Sequence, residues 1–458
     1  MALQEADQLV IFGISGDLAK KMTIPSLYRL ERRELLKLPI LGVAFDAWTE
    51  EQFIAHARES VETVEGSVDD AVFTRLADRI TYIHGDFTDD ALYQEISKQI
   101  NGKKAPCFYL EIPPGLFVVV AQNLAKADLL HGDARVVFEK PFGTDYDSAK
   151  QLNDDLHKIM REDQVFRLDH YLGKDQVQDI LYVRFSNTFF EPLWDRHYVD
   201  SIMITMAEDF GVEDRGSFYD KVGTLRDVVQ NHLLQTLSLV TMEVPTDDFA
   251  ITRYDLFRTI PSLEPEQVVR GQYEGYQEIK GVAENSDTET FIAAKFKINS
   301  LRWSGVPVFI RAGKNMPVKA TEVVVRMKML PPFVINGRLR ASRWYDDVVF
   351  RLGSKPGLNM AIRVKQPGLD KMEPVELNLD FQQAEGGTPE PYEVLLMGAI
   401  HGVRALFPDE GTIEETWRIV QPVIDNPPPV ISYKSGTWGP DEAQKMTEKH
   451  GGWREPTI

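Results

Sequence analysis

Cysteine is nearly absent. The chain of 458 residues holds one, Cys107, so no disulfide can close within it. Apolar neighbours (Phe108, Tyr109, Leu110) mark it as a small buried hydrophobe rather than a nucleophile. Basic charge is also scarce: 51 Lys and Arg stand against 70 Asp and Glu, a net −19. A surface this acidic repels nucleic acid and anionic membrane, so neither is expected as a partner. An anionic substrate would need a dedicated cluster of Lys, Arg or His. Long apolar runs are missing too. No stretch approaches the roughly 20 residues of a membrane span, and MALQEADQLV has no basic n-region. The expectation is a cytoplasmic protein. No metal is expected.

Apolar residues make up 43% of the chain, enough for a sizeable core, and the length favours more than one domain. The first third alternates short apolar runs with longer amphipathic ones. Leu9–Phe12, Ile40–Ala44, Ile80–His84, Cys107–Ile112 and Arg135–Phe138 read as strands. Leu18–Leu36, Glu50–Val64, Asp89–Ile100 and Leu116–Leu130 read as helices. This alternation predicts a doubly wound, Rossmann-like α/β domain with a parallel sheet. From about residue 170 the texture changes. β-rich runs (201–206, 290–297, 308–311, 322–327, 359–364, 375–381) join helical patterns at 224–242 and 392–407, and 185–195 reads as an aromatic loop. These predict an α+β domain with a large, mostly antiparallel sheet. The expected division is 1–168 for dinucleotide binding and 169–458 for substrate binding and dimerisation.

After the first strand comes Gly13-Ile14-Ser15-Gly16-Asp17-Leu18-Ala19, opening into a helix. Small residues there let the backbone turn tightly beside a pyrophosphate, and a helix N-terminus offers N–H groups to it. The spacing departs from the usual G-x-G-x-x-G, so an ordinary tight turn is the competing reading. An acid at the end of the second strand would bond the ribose 2′-hydroxyl of NAD, and an Arg would suit the 2′-phosphate of NADP. Here the strand ends Phe45-Asp46, with no adjacent Arg. Asp46 could equally be a solvated loop carboxylate.

Three further segments concentrate chemistry: Arg167-Leu168-Asp169-His170-Tyr171-Leu172-Gly173-Lys174, Arg226-Asp227-Val228-Val229-Gln230-Asn231-His232, and Arg311-Ala312-Gly313-Lys314 with Lys319 after it. Singly, each has a bland reading as charged loop, satisfied core polar groups or surface turn. Together with GISGDLAKK, EKPFG (139–143), YEVLLMGAI and GTWGP, they resemble the glucose-6-phosphate dehydrogenase family, in family order and over nearly the whole chain.

The resemblance implies oxidation of glucose 6-phosphate at C1 to the phosphogluconolactone, the first step of the oxidative pentose phosphate pathway. It implies His232 as general base, suited by an ordinary imidazole pKa of ~6.5, and Asp169 as its orienting carboxylate. His170, Tyr171 and Lys174 would hold the phosphate. Glu208, Asp227, Lys314, Lys319 and Gln366 would bind the sugar, and Lys140 would reach both sugar and cofactor. Gly13, Ser15, Gly16, Asp17, Leu18 and Asp46 would line the site for NADP or NAD. The family's basic residue near the second strand end is replaced by Phe45-Asp46, which turns the expectation towards NAD. A homodimer or homotetramer is implied. The rivals are a dehydrogenase of free glucose or of another hexose phosphate, and a cofactor-sensing protein that has lost catalysis.

Overall fold

Five of the first six strands are buried along their whole length, and most of their residues are apolar rather than alternating, with Gln8, Arg135, Glu139 and Arg167 as buried polar exceptions. The computed structural model describes residues 4–246, 248–340, 344–381 and 387–456. Two compact units emerge: residues up to Asp175 with Thr388–Glu414, and Gln176–Gly387 with the residues from Glu415 onward.

In the first unit, strands β1 (Gln8–Phe12), β2 (Ile40–Ala44), β3 (Ile80–His84), β4 (Pro106–Leu110), β5 (Arg135–Glu139) and β6 (Val165–Leu168) form one sheet. Their order is β3-β2-β1-β4-β5-β6, every pair parallel. This is the doubly wound dinucleotide-binding order, which reverses direction beside β1. The connecting helices start and stop on local signals. Glu50–Glu65 opens with a reciprocal cap between Thr49 and Gln52 and ends at Gly66 with positive φ. The expected helix over 18–36 is two pieces, a π-helical turn at Ala19–Thr23 and an α-helix at Ile24–Arg32. Helices at Asp70–Ala77 and Tyr146–His157, and strand β6, complete the unit.

The return segment belongs here because its helix, Pro391–His401, is apolar nearly all round. Tyr392, Leu395, Leu396, Ala399 and Ile400 join the core formed by Leu9, Ile11, Leu27 and Phe166. The buried Arg135 guanidinium donates to the Ala399 carbonyl at 3.0 Å, and the Ala6 N–H to the Ile400 carbonyl at 2.7 Å. Gly173 lies flush against this helix. A Cβ there would come within 2.5 Å of the Pro391 carbonyl oxygen and 2.8 Å of Leu395 Cγ.

The second unit is built on a nine-stranded mixed sheet among the described residues. Its strands are β7 (Val199–Ala207), β8 (Val268–Tyr273), β9 (Phe291–Phe296), β10 (Val308–Gly313), β11 (Ala320–Met327), β14 (Asp346–Arg351), β15 (Gly357–Lys365), β16 (Met372–Asp380) and β17 (Val430–Tyr433); β12 (Phe333–Ile335) and β13 (Arg338–Arg340) form a separate hairpin. The order is β16-β15-β14-β11-β7-β10-β9-β8-β17, antiparallel except for β10 with β7 and β17 with β8. The expected helical pattern at 224–242 is a π-helical segment, Leu225–Leu233, running into an α-helix, Leu234–Thr241. No described helix is long and apolar enough to cross a membrane.

Gly173→Ala should destabilise the first unit by about 1–3 kcal/mol, because neither the Pro391 backbone nor Leu395 can withdraw freely. Gly115→Ala, where a Cβ meets nothing within 4 Å, should not. Thermal unfolding of both variants checks this; equal melting temperatures would contradict it.

Candidate active site

The nucleotide turn is a backbone structure. Gly13 has φ +82°, and its N–H donates to the Val43 carbonyl at 2.7 Å, tying β1 to β2. A Cβ on Gly13 would lie 2.2 Å from the Glu111 carbonyl oxygen, so only glycine fits. The Gly16 N–H donates to the Gly13 carbonyl at 2.9 Å, and the helix takes up from there. Asp17 directs its carboxylate to Lys21 at 2.9 Å, while Leu18 packs on the core. The Ser15 hydroxyl donates to Asp46 Oδ2 at 2.5 Å, and the Tyr82 hydroxyl to the Asp46 carbonyl at 2.7 Å. Asp46 is exposed, and the Ser15 bond holds its carboxylate beside the turn. A cradle that excludes a Cβ and an acceptor carboxylate at the end of β2 fit a dinucleotide's pyrophosphate and ribose.

Asp169 follows β6 and caps a single 3-10 turn, His170–Gly173, by accepting the Tyr171 N–H at 2.9 Å. The Lys174 ammonium lies 3.9 Å from the centre of the Tyr171 ring. The His170 ring is parallel to that of Tyr392, interplanar angle 9° at 6.4 Å. His170, Tyr171 and Lys174 therefore gather at one place, with Tyr392 of the return helix as a partner that the motifs did not single out.

Beneath them runs a polar network. Glu139, which precedes Lys140, accepts the Tyr109 hydroxyl at 2.5 Å and also bonds Tyr392. Burial raises its carboxyl to about 7, against the hydrogen bonds of Tyr109 and Tyr392 and the charge of Lys140. Burial likewise pushes Glu111 up to about 8, although the Thr23 hydroxyl donates to it. Cys107 is pushed to about 12 by complete burial and is inert, as its neighbours imply.

In the second unit, β7 and β10 run parallel with Ala207 opposite Gly313. The residues after them, Glu208 and Lys314, leave the sheet side by side and meet, Lys314 Nζ to Glu208 Oε2 at 2.6 Å. Lys314 also faces the rings of Tyr219 and Phe210 at 5.0 and 5.4 Å, and Lys319 faces Phe210 at 5.7 Å. Burial, and then Asp227, hold the Tyr219 phenol well above its ordinary range. Asp227 and His232 sit on the π-helical segment, with His232 buried and its carbonyl accepting the Thr236 hydroxyl at 2.8 Å.

Gln366 departs from expectation. Ala207, Gly313, Ala320 and Gly357 mark one end of the sheet by register, and Gln366 lies in the β15–β16 turn at the other. Eight residues of β15 beyond Gly357 span roughly 26 Å, so the sheet carries Gln366 away from Glu208 and Lys314. Phe210, Tyr219, Glu111 and Tyr392 are the residues that motif reading missed. Only Tyr392 lies in a segment that the resemblance marked.

A dinucleotide cradle in one unit and an imidazole with paired carboxylates and lysines in the other define a nicotinamide-dependent dehydrogenase. The model of the glucose-6-phosphate dehydrogenase NAD binding domain matches residues 10–179, and that of the C-terminal domain residues 181–454. The chain is 48% identical over 457 residues to glucose-6-phosphate 1-dehydrogenase 1 of Mycobacterium tuberculosis, covering 99% of this chain and 97% of the relative. It is 34% identical to the enzyme of Dickeya dadantii, with 98% of each chain covered. Among solved structures, the Mycobacterium avium glucose-6-phosphate 1-dehydrogenase superposes with a TM-score of 0.93, 48% identity and 99% of each chain covered. A glucose-6-phosphate dehydrogenase in complex with its substrate superposes with a TM-score of 0.90 at 29% identity, with 100% of each chain covered. The chain belongs to the glucose-6-phosphate dehydrogenase family.

A carboxyl raised from 4.5 to about 8 contributes fully to stability below pH 4.5 and loses that contribution as pH rises through 8. Glu111→Gln should therefore gain melting temperature relative to the parent between pH 5 and pH 8.5. A difference that stays constant with pH would contradict the assignment.

Proposed function

We propose that this protein oxidises glucose 6-phosphate at C1 to 6-phosphogluconolactone, passing hydride to NAD or NADP. The observation that carries the reading is the Glu208–Lys314 pair beside Asp227 and Tyr219, on the unit that also holds His232. Full-length similarity to enzymes named for this activity supports it.

In the proposed mechanism His232 takes the proton from the C1 hydroxyl. Asp169 keeps the imidazole in the competent tautomer and stabilises the imidazolium. Glu208, Asp227, Lys314 and Lys319 bind and orient the sugar, while His170, Tyr171 and Lys174 bind its phosphate. Lys140 serves sugar and cofactor. The bound nicotinamide ring supplies the hydride acceptor. Gly13, Ser15, Gly16, Asp17 and Leu18 would hold the pyrophosphate by their backbone turn, and Asp46 the adenosine ribose. In this reading residues 1–168 take the cofactor, and 169–458 the sugar and the dimer contact, although the structure packs residues 169–175 and the return segment Thr388–Glu414 with the first unit. The Asp46 carboxylate, with no arginine beside it, favours a ribose hydroxyl over a phosphate, so in this reading NAD is used at least as well as NADP.

A cytoplasmic homodimer or homotetramer completes the reading. β15 and β16 expose Ile362, Val364, Val375, Leu377 and Leu379 as a contiguous apolar face, which suits a second copy.

Purified protein should form reduced nicotinamide from glucose 6-phosphate and not from glucose. His232→Asn should lower kcat by about 10²–10⁴-fold with little change in KM. Turnover of that variant near the parent's would refute the base. In the parent, kcat/KM with NAD should equal or exceed that with NADP, and Asp46→Ala should weaken NAD. A strong NADP preference would sink the role of Asp46.

A further inference from the structure

The general base does not follow a strand. It sits on a helix whose start must be set by something else. That helix begins abruptly: Gly223 breaks the preceding helix with φ +68° and ψ 172°, and Leu225 opens the π-helical segment. Its first N–H groups need acceptors. They find them on one residue of the segment leading into β9, Glu289. The Glu289 carbonyl accepts both the N–H and the hydroxyl of Thr224, each at 3.1 Å. Glu289 Oε1 accepts the Leu225 N–H at 3.0 Å. A Cβ on Gly223 would lie 2.5 Å from that same oxygen, so the glycine leaves room for the carboxylate.

Glu289 is itself clamped. Arg270 on β8 donates to Glu289 Oε2 through Nε at 3.1 Å and Nη2 at 2.9 Å, with both side chains buried. Arg270 is anchored in turn on the carbonyls of Asp287 and Pro428, at 2.7 and 2.9 Å. The next residue reaches the sugar lysine: the Lys314 N–H donates to the Thr290 carbonyl at 3.0 Å.

We propose that Glu289, clamped by Arg270, is a positioning residue that sets where the helix carrying Asp227 and His232 begins and fixes that helix relative to Lys314. The consequence for catalysis rests on the functional reading above; the structural effect on the helix does not. A charged pair buried this deeply is costly unless it is fully bonded. Here every oxygen of the carboxylate is used, one on the helix start and one on the arginine.

Glu289→Ala and Glu289→Gln, made in the full chain, test it. Gln retains an acceptor for the Leu225 N–H. In the Ala variant, amide hydrogen exchange over 225–233 should rise about tenfold or more, with 234–241 unchanged, whether or not a substrate is turned over. Steady-state rates should show kcat lowered about tenfold and the sugar KM raised several-fold, because the base and Asp227 move together. The cofactor KM should stay within twofold. Glu289→Gln should recover most of both effects. Parent-like exchange over 225–233 in folded Glu289→Ala would overturn the proposal. So would a loss of rate that only follows the loss of folded protein, with both KM values unchanged. A parent that turns over no sugar phosphate would fail the functional reading alone, leaving the exchange result to decide the role of Glu289.

Discussion

Parallel register is the constraint on which the rest depends. When neighbouring strands run the same way, their carboxyl ends finish together, and the residues that follow share one edge. In the first unit Gly13 follows β1, Asp46 lies just beyond β2, Glu111 follows β4, Lys140 follows β5 and Asp169 follows β6. In the second, Glu208 and Lys314 follow β7 and β10, the central parallel pair of an otherwise mostly antiparallel sheet. Short sequence spacing is not needed, because hydrogen-bonded strands do the gathering. His232 and Asp227 are the exceptions, and their helix takes its start from the Glu289–Arg270 clamp.

A chain with net charge −19 must place its few cations with care. Lys314 is held to Glu208, and Lys174 to the face of Tyr171. In the first unit the protein also uses carboxyls as buried hydrogen-bonding groups rather than as solvated charges. Glu139 and Glu111 lie beneath the nucleotide turn and Lys140, with Tyr109, Tyr392 and Thr23 as donors. Their raised pKa values have burial as the leading cause, so they weaken the local positive field less than their number suggests.

Much of this was legible in the sequence, and the parts that were not have physical reasons. Ile40–Ala44 and Ile80–His84 were delimited to the residue, because short β-branched runs bounded by polar segments have few other readings. Helix Tyr146–His157 escaped because it buries only Ala149, Asn153 and Leu156. Strand β6 escaped because Arg167 interrupts it, a charge satisfied by Glu162 and Asn153 and therefore tolerated inside. The return of Thr388–Glu414 to the first unit is a long-range packing event with no local signature. The chemical motifs mark residue types without placing them in space. Gln366 shows their limit: a motif marks a residue, but which end of a strand it occupies is decided by register.

Transfer of the C1 hydrogen as hydride is the central claim, and isotopic labelling tests it most directly. Glucose 6-phosphate carrying deuterium at C1 would be turned over with NAD, and the reduced cofactor weighed by mass spectrometry. The account predicts that each reduced nicotinamide carries one deuterium from the sugar. Reduced cofactor without the label, or label released to water, would contradict it.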